Sequence, residues 1–256
     1  MTHHHFNEEW IAMTTASSPH TSSVARPRSI LILGLIALIL FAAQITALRN
    51  SSYSSIQAID NWWRSVVGQH PGSFESNPVV LFFQFMGQTL VSTILSSLIL
   101  LVFLVLRRWW TALYSFIVLT FSGTVMNLAL KILIQRERPV EDAVQNLSGP
   151  LFGESGTDSF PSGHTSITAA LFVIVLVATY GRSRMIGGII SGFLVFAMAL
   201  ERTMANAHWL SDTMGGLLGI CAVSFLLWWL MEPKIAPERT KSIRKKTSSD
   251  TLTPTH

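Results

Sequence analysis

Long runs of apolar residues, separated by short clusters of charged and aromatic residues, organise this chain. The first run, residues 29–48, contains no charged side chain, and its length matches the roughly 20 residues that a helix needs to cross the hydrocarbon core of a bilayer. Charged residues make up only 12% of the chain, about half the fraction found in soluble domains. The sequence therefore predicts an integral membrane protein.

Six apolar runs predict an all-α fold, a single bundle of six transmembrane helices over residues 29–232. Gly87 is expected to break the long run of residues 79–106, and Pro233 is expected to end the last helix. After the first span, we predict the others at residues 88–106, 112–133, 162–180, 185–200 and 210–231.

Three segments lie outside the predicted spans. Residues 1–28 are polar and are expected to form a disordered N-terminal tail, and residues 233–256 a disordered, basic C-terminal tail. Residues 54–67 place apolar side chains at helical spacing beside Trp62 and Trp63, which favours a short helix on the membrane surface. An ordinary loop with aromatic residues is the alternative.

The basic residues favour an orientation with both termini in the cytoplasm. Six spans place both termini on one side, together with twelve of the 18 Lys and Arg residues. These twelve are Arg26, Arg28, Arg107, Arg108, Arg182, Arg184, Lys234, Arg239, Lys241, Arg244, Lys245 and Lys246. The other six are Arg49, Arg64, Lys131, Arg136, Arg138 and Arg202. The chain is therefore predicted to be a multi-pass protein of the cell membrane, with the loop of residues 146–159 on the extracytoplasmic side.

Other classes of protein fit the composition less well. The net charge of +4 comes largely from the C-terminal tail, where attraction to membrane lipids explains it, and no nucleic-acid partner is expected. The one cysteine, Cys221, has no intrachain partner and is expected to be a small core residue. No metal site is assigned to the adjacent His3, His4 and His5. Nothing in the sequence specifies an oligomeric state.

The segment of residues 160–165, Phe-Pro-Ser-Gly-His-Thr, joins a polar loop to the fourth predicted span. Proline is favoured at the first position of a helix, so Ser162, Gly163 and His164 are expected in the first turn, where unsatisfied N–H groups attract anions. Gly163 allows an anion to approach the backbone, and His164 can donate or accept a proton near neutral pH. A helix cap without further function is the alternative for so short a motif.

The third predicted span ends in a group of basic residues. Lys131 and Arg138 are seven residues apart, so they share one face if the helix continues to Arg138. Lys131 lies within or near the hydrocarbon, where an ionisable side chain is costly and indicates function. A snorkelling lysine with a positive flank is the alternative, but such flanks are expected on the cytoplasmic side.

A third group lies between the fifth and sixth spans. His208 and Asp212 are four residues apart, so one helical turn is expected to bring the carboxylate to the imidazole and to fix its tautomer. Arg202 supplies a planar fork of donors suited to phosphate oxygens. A buried His–Asp pair within a polar network is the alternative interpretation.

Together these groups resemble a known signature. The pattern Lys-x6-Arg-Pro from Lys131, then Pro-Ser-Gly-His from Pro161, then Arg-x5-His-x3-Asp from Arg202 is similar in order and spacing to the three motifs of the type-2 phosphatidic acid phosphatase superfamily, the lipid phosphate phosphatases. The layout of six helices is similar as well. In one departure, Glu201 stands where the family usually has serine before the arginine, and it is expected to tune Arg202.

The resemblance implies a role for each matching residue. It implies that His208 is the nucleophile that forms a phosphohistidine, that Asp212 orients it, and that His164 is the general acid for the leaving oxygen. The other matching positions are implied to bind the phosphate: Lys131, Arg138, Ser162, Gly163 and Arg202. Fixed cations and a helix N-terminus can neutralise phosphoryl charge, and no Asp/Glu cluster suited to Mg²⁺ is apparent near the motifs, so no metal or other cofactor is expected.

The implied function is hydrolysis of a lipid phosphate or diphosphate at the outer face of a bacterial membrane. The short loops favour the bacterial branch of the family, which includes enzymes for phosphatidylglycerophosphate and for undecaprenyl diphosphate, and the sequence does not separate these two substrates. A vanadium haloperoxidase-like enzyme is an alternative, although those enzymes share the motif on a typically soluble chain. An anion or lipid transporter is the other alternative, but it has no evident need for His208 beside Asp212, and the chain shows no internal repeat.

Overall fold

The computed structural model describes residues 26–49, 53–68, 77–139 and 159–250. The regular structure of these residues is all helical, with no strand among them. The predictions for residues 1–25, 146–158 and 251–256 fall outside the described part of the chain. The described residues form α1 (Arg28–Arg49), α2 (Tyr53–Val67), α3 (Pro78–Gly87), α4 (Thr89–Val105), α5 (Trp109–Ile134), α6 (Gly163–Ala178), α7 (Gly181–Met204) and α8 (Leu210–Asp250).

Among these helices, four are long and apolar enough to cross a membrane: α1, α5, α7 and the part Leu210–Thr240 of α8. Helices α3 and α4 make a fifth candidate if the two are counted as one span, although they are bent by 65° at Gln88, next to the predicted break at Gly87. Helix α6 is apolar but has 16 residues, fewer than the roughly 20 of a typical span. The all-helical membrane fold is confirmed, and the number of six spans stays a prediction.

Helix α8 is the centre of the bundle. It packs along α1 and α6, and α6 also packs on α7. Ala169 and Val173 of α6 are fully buried, because small and β-branched side chains let neighbouring helices approach closely. Tyr114 of α5 is buried too, and its hydroxyl donates to the carbonyl oxygen of Ser224 on α8 at 3.0 Å. Large apolar side chains on the outside, such as Ile39 with 66% of its surface exposed, are suited to contact with lipid chains.

The prediction that Pro233 ends the last helix is wrong. Helix α8 passes through Pro233 and Pro237 and continues to residue 250, where a disordered tail was expected. A proline inside a helix removes a hydrogen bond and costs roughly 3 kcal/mol, but neighbouring side chains hold this part of α8 to the bundle. Glu238 accepts hydrogen bonds from two backbone N–H groups at the start of α5 at 2.8 and 3.0 Å. Arg239 donates to a carbonyl oxygen near the end of α6 at 2.9 Å.

Helix α7 is longer at both ends than the predicted span of residues 185–200. The prediction equated the helix with its apolar run, whereas the helix continues into the charged residues on both sides. As a result, Arg202 belongs to the last turn of α7, and its position is determined by that helix.

The three motifs lie at one end of the bundle. At this end, the N–H of Ser159 before α6 donates to the carbonyl of Arg136 after α5 at 3.0 Å. At the opposite end of the same two helices, the Arg108 side chain donates to the carbonyl oxygen of Ala178 at 2.8 Å. The two ends correspond to the two groups of basic residues in the sequence, and the orientation of the bundle in the membrane stays a prediction.

Candidate active site

The segment before α6 forms a helix cap, and the helix begins two residues after Pro161, the predicted first helical position. Ser162 is the N-cap, since its hydroxyl accepts a hydrogen bond from a backbone N–H in the first turn at 3.5 Å. Its own N–H donates to the carbonyl oxygen of Asp212 at 3.0 Å. Pro161 therefore precedes the cap instead of starting the helix, and Gly163 and His164 are the first two helical residues. The contact with Asp212 brings the second motif against the third.

Open space lies in front of this helix end. Among the residues that the structure describes, a Cβ atom built on Gly163 would meet no heavy atom of a neighbouring segment within 4 Å, so these residues leave room for an anion at the N-terminal turn of α6. The imidazole of His164 borders the same turn and packs against Gly87, where a Cβ atom would come within 1.7 Å of His164 Cδ2. Only glycine allows this close approach, and the break between α3 and α4 thereby becomes part of the site.

Arg138 reaches the third motif from the segment that follows α5, which ends within one residue of the predicted end at residue 133. Helix α5 ends at Ile134, and Gln135 adopts a left-handed conformation with φ 47°. The helix therefore does not continue to Arg138, and the condition under which Lys131 and Arg138 would share one helical face is not met. Arg138 is buried, and its Nη1 donates to the carbonyl oxygen of Ala207 at 3.0 Å. Lys131 stays on α5 and is half-buried.

Arg202 is paired with its neighbour in the chain. Its Nε donates to Glu201 Oε2 at 2.5 Å, and its Nη2 donates to Glu201 Oε1. Both side chains are buried, so the two charges neutralise each other in a region with little water. The carbonyl oxygen of Arg202 also accepts hydrogen bonds from the N–H groups of Ala207 and His208, each at 3.2 Å, which connects the end of α7 to the histidine.

The imidazole of His208 is held by a backbone carbonyl rather than by the predicted carboxylate. Its Nδ1 lies 2.8 Å from the carbonyl oxygen of Ser159 and 3.8 Å from Asp212 Oδ2, so only the first contact has hydrogen-bond length. His208 precedes α8, which starts at Leu210. The four residues from His208 to Asp212 therefore do not form one turn of a helix. A carbonyl can only accept, so Nδ1 carries the proton and Nε2 of the neutral ring carries the lone pair.

The carboxylate of Asp212 is surrounded by donors. Arg136 Nη1 donates to Oδ1 at 2.6 Å, the backbone N–H of Trp209 donates to Oδ2 at 2.8 Å, and the Ser159 hydroxyl donates to the same Oδ2. Arg136 Nη2 donates in turn to Asp60 Oδ2 on α2 at 2.6 Å. Burial lowers the pKa of the Arg136 guanidinium, but the carboxylates of Asp212 and Asp60 outweigh that effect and raise it above its ordinary value. Arg136 is thus a permanent cation between two buried carboxylates.

Sequence reasoning placed neither Arg136 nor Asp60 in the site. Arg136 was counted only among the basic residues of the outer side, although it stands two residues before the motif arginine, Arg138. Asp60 lies on the predicted surface helix, at helical spacing from the half-buried Ile56 and Trp63. A carboxylate on that otherwise apolar face was the signal that it has a buried partner.

No group of three or more His, Cys, Asp or Glu side chains suited to a metal ion occurs among the residues that the structure describes. The carboxylates of Asp60 and Asp212 are joined by the Arg136 guanidinium. The expectation that the site uses no metal stays a prediction.

Comparison with known proteins connects this geometry to a family. The family model of the PAP2 superfamily matches residues 108–235. Lipid A 1-phosphatase of Rhizobium johnstonii is 34% identical over 112 residues, which cover 42% of this chain and 43% of the relative. Lipid A 1-phosphatase of Rhizobium etli is 33% identical over 112 residues, with 42% and 45% covered. Glucose-6-phosphatase 3 of Mus musculus is 32% identical over 143 residues, with 48% and 40% covered. The chain thus spans less than half the length of these curated relatives.

A solved structure shares the fold. The crystal structure of a transmembrane PAP2-type phosphatidylglycerolphosphate phosphatase from Bacillus subtilis matches with a TM-score of 0.57 and 24% identity, over 78% of this chain and 94% of that chain. At this level of identity the match shows the architecture of the helical bundle.

Proposed function

Because the chain belongs to the PAP2 superfamily, we propose that it is a membrane phosphatase that hydrolyses the phosphate ester or anhydride of a lipid. The observation that carries the proposal is the meeting of three distant motifs at one end of the bundle. There, Ser159 holds His208 through Nδ1 at 2.8 Å, and the open helix end at Gly163 can receive an anion.

In the proposed reaction, the Nε2 lone pair of His208 attacks phosphorus, and the bond from phosphorus to the leaving oxygen breaks. His164 gives its proton to that oxygen as general acid. Water then attacks the phosphohistidine, loses a proton to His164, and releases inorganic phosphate together with the free histidine. Two transfers in line at phosphorus need mainly positioning and charge neutralisation, which the surrounding cations can provide.

The phosphate oxygens are proposed to lie between the N-terminal turn of α6 and the basic side chains of the first and third motifs. Arg138 is bound to the Ala207 carbonyl next to His208, and Lys131 belongs to the last turn of α5. Arg202 is engaged by Glu201, so a phosphate oxygen must share this guanidinium with the carboxylate or displace it. The other proposed phosphate ligands are Ser162 and Gly163.

We propose a lipid rather than a soluble ester as the substrate. Helices α3 and α4 meet beside His164, and α3 carries exposed apolar side chains such as Val79, Phe82 and Phe85. A lipid that enters sideways along these residues keeps its chains in the bilayer, which avoids roughly 0.8 kcal/mol for each CH₂ group that would be exposed to water. The candidate substrates are phosphatidylglycerophosphate and undecaprenyl diphosphate, and the names of the relatives add the 1-phosphate of lipid A.

The proposed orientation places both termini in the cytoplasm and the motif end on the extracytoplasmic side, from the distribution of basic residues. Ser155 belongs to the predicted outer loop and lies outside the described residues. Serine at this position can be replaced by cysteine (Ser155→Cys) in a Cys221→Ser background and labelled with a membrane-impermeant maleimide. Labelling in intact cells is expected, and labelling only after permeabilisation would reverse the orientation.

Phosphate release by the purified protein in detergent micelles tests the proposed activity. The panel comprises phosphatidylglycerophosphate, undecaprenyl diphosphate, lipid A 1-phosphate and glucose 6-phosphate, with the His208→Ala variant as the control. We expect kcat/KM for at least one lipid to exceed that for glucose 6-phosphate, and no release by His208→Ala. Equal release by the variant would remove His208 from the mechanism, and equal efficiency on glucose 6-phosphate would refute lipid specificity.

A further inference from the structure

We propose that Asp60 and Arg136 form a positioning pair, which connects α2 to the active site and holds Asp212 and Ser159 in the geometry that orients His208. This inference rests on the proposed function, in which His208 is the nucleophile. It assigns a role in the reaction to α2, which contains none of the family motifs, and to an arginine that lies between the two basic residues of the first motif.

The first observation is a buried chain of charges. Arg136 Nη1 lies 2.6 Å from Asp212 Oδ1, and Nη2 lies 2.6 Å from Asp60 Oδ2. The three residues are 4%, 0% and 1% exposed for Arg136, Asp212 and Asp60. Asp60 and Arg136 are 76 residues apart in sequence, as are Arg136 and Asp212. A cation that bridges two buried carboxylates at these distances determines where both of them lie.

The second observation is that Asp60 also holds the start of α8. Its Oδ1 accepts from the backbone N–H of Ser211 at 2.9 Å, and its Oδ2 accepts from the Ser211 hydroxyl at 2.6 Å. Arg136 Nη1 donates to the same hydroxyl at 2.6 Å. The first turn of α8 has backbone N–H groups that need acceptors, and a carboxylate from another helix satisfies one of them. Asp60 therefore positions the residue adjacent to Asp212 as well as Arg136.

The third observation is a continuous path to the nucleophile. Asp212 accepts from Arg136 through Oδ1 and from the Ser159 hydroxyl through Oδ2. The carbonyl oxygen of Ser159 lies 2.8 Å from His208 Nδ1. Arg136 thus holds the carboxylate of Asp212, and this carboxylate holds the hydroxyl of Ser159. The carbonyl of Ser159 in turn orients the imidazole of His208. A displaced carboxylate would release the Ser159 hydroxyl and with it the carbonyl that fixes the tautomer.

Arg136 is a positioning residue and not a phosphate ligand. Both of its Nη atoms contact carboxylates, its side chain is almost fully buried, and its guanidinium lies over the Trp209 ring at 5.5 Å. Its Nη atoms are thus already engaged by protein groups. Loss of Arg136 or Asp60 should therefore lower kcat while leaving the KM for substrate nearly constant, because ground-state binding uses other residues.

The test compares Asp60→Asn, Arg136→Gln and the double variant in full-length protein purified in detergent. Ser65→Ala is the matched control, since Ser65 lies on α2, is exposed, and donates its hydroxyl to the carbonyl oxygen of Trp62 within the same helix. Phosphatidylglycerophosphate in micelles is the turnover probe, and the affinity for orthovanadate reports the transition-state geometry without turnover. A thermal melt of each variant gives the folded fraction to which kcat is normalised.

Each single variant is expected to lower kcat by about 10- to 100-fold, the loss typical when a residue that orients a metal ligand is removed, with KM changed less than about twofold. The affinity for vanadate should fall in parallel. The double variant should lose less activity than the product of the two single losses, since Asp60 acts in part through Arg136. Arg136→Lys should recover little activity, because one ammonium group cannot replace the guanidinium fork.

Three results would overturn the inference. They are an unchanged kcat per folded molecule, a rise in KM without a fall in kcat, and strictly additive losses in the double variant. If wild-type protein releases no phosphate, the proposed function fails, and vanadate affinity alone decides the positioning role. A normal His208-dependent turnover in Asp60→Asn would instead refute only the positioning pair.

Discussion

Gly87 and His164 offer a direct test of how the broken helix supports catalysis. A Cβ atom at position 87 would lie 1.7 Å from His164 Cδ2, 2.4 Å from Cγ and 2.5 Å from Nε2. Carbon atoms in good contact are roughly 3.5–4.0 Å apart, so Gly87→Ala forces the imidazole to move by roughly 2 Å. A displacement of about 1 Å in a reacting group can cost about 100-fold in rate. We therefore expect Gly87→Ala to lower kcat at least about 100-fold.

The assay is phosphate release together with thermal unfolding, on the wild type, Gly87→Ala and a matched glycine variant. Gly192→Ala is the control, because a Cβ atom there would lie 3.6 Å from the nearest atom of Phe172, an ordinary contact. If the ring is held in place, overpacking should cost roughly 1–3 kcal/mol of stability. In a His164→Ala background this cost should largely vanish, and Gly87→Ala should cause no further loss of activity.

Two results would refute this reasoning. A kcat of Gly87→Ala within about twofold of wild type would mean that the ring can move without consequence, so that His164 is not held for proton transfer by this contact. Equal loss of activity by Gly87→Ala and Gly192→Ala would show a general effect of added volume in the bundle.

Three further predictions follow from the contacts of the site. Asp212→Asn should slow phosphoenzyme formation in a rapid-quench experiment by about 100-fold. This loss is smaller than the roughly 10⁴-fold typical of a directly bonded orienting aspartate, because the Ser159 carbonyl holds His208. A loss of about 10⁴-fold would mean that the direct contact between His208 and Asp212 forms in the reacting enzyme. Glu201→Ser should release the Arg202 guanidinium, so that inorganic phosphate inhibits more strongly. Its inhibition constant should fall by about tenfold, which corresponds to one charge-assisted hydrogen bond. An unchanged inhibition constant would place Arg202 outside the phosphate site. Treatment with EDTA should leave phosphate release unchanged, and activity that disappears with EDTA and returns with added Mg²⁺ would contradict the mechanism without metal.

The membrane fold and the identity of the motifs were accessible from the sequence because their signals are local. Twenty uncharged residues at 29–48 must satisfy their own backbone hydrogen bonds in lipid, and only a helix does so within one segment. The break at Gly87 and the cap at Ser162 are likewise properties of a few neighbouring residues. Residue types and spacing were sufficient to select His164, His208 and Asp212 as candidates, because two imidazoles and a nearby carboxylate can transfer protons or attack phosphorus.

The partners of these residues were decided by the tertiary structure. The sequence placed His208 one helical turn from Asp212, but α8 begins after His208, and the ring is bonded to Ser159, 49 residues earlier. Helix α5 ended before Arg138, because Gln135 turned into a left-handed conformation. Helix α8 continued through two prolines, because contacts with α5 and α6 outweighed a local cost.

The network of Asp60, Arg136 and Asp212 shows most clearly what the tertiary structure decided and the local sequence did not. The composition of α2 indicates an amphipathic helix, and Asp60 on its apolar face signals a buried partner, but nothing within the helix identifies that partner as an arginine 76 residues away. A buried charge must find a partner of opposite sign or lose several kcal/mol of stability, and which partner it finds depends on how the helices pack. Local sequence therefore determined the helices and the reactive side chains of this protein, whereas the packing of distant helices determined the hydrogen bonds that orient them.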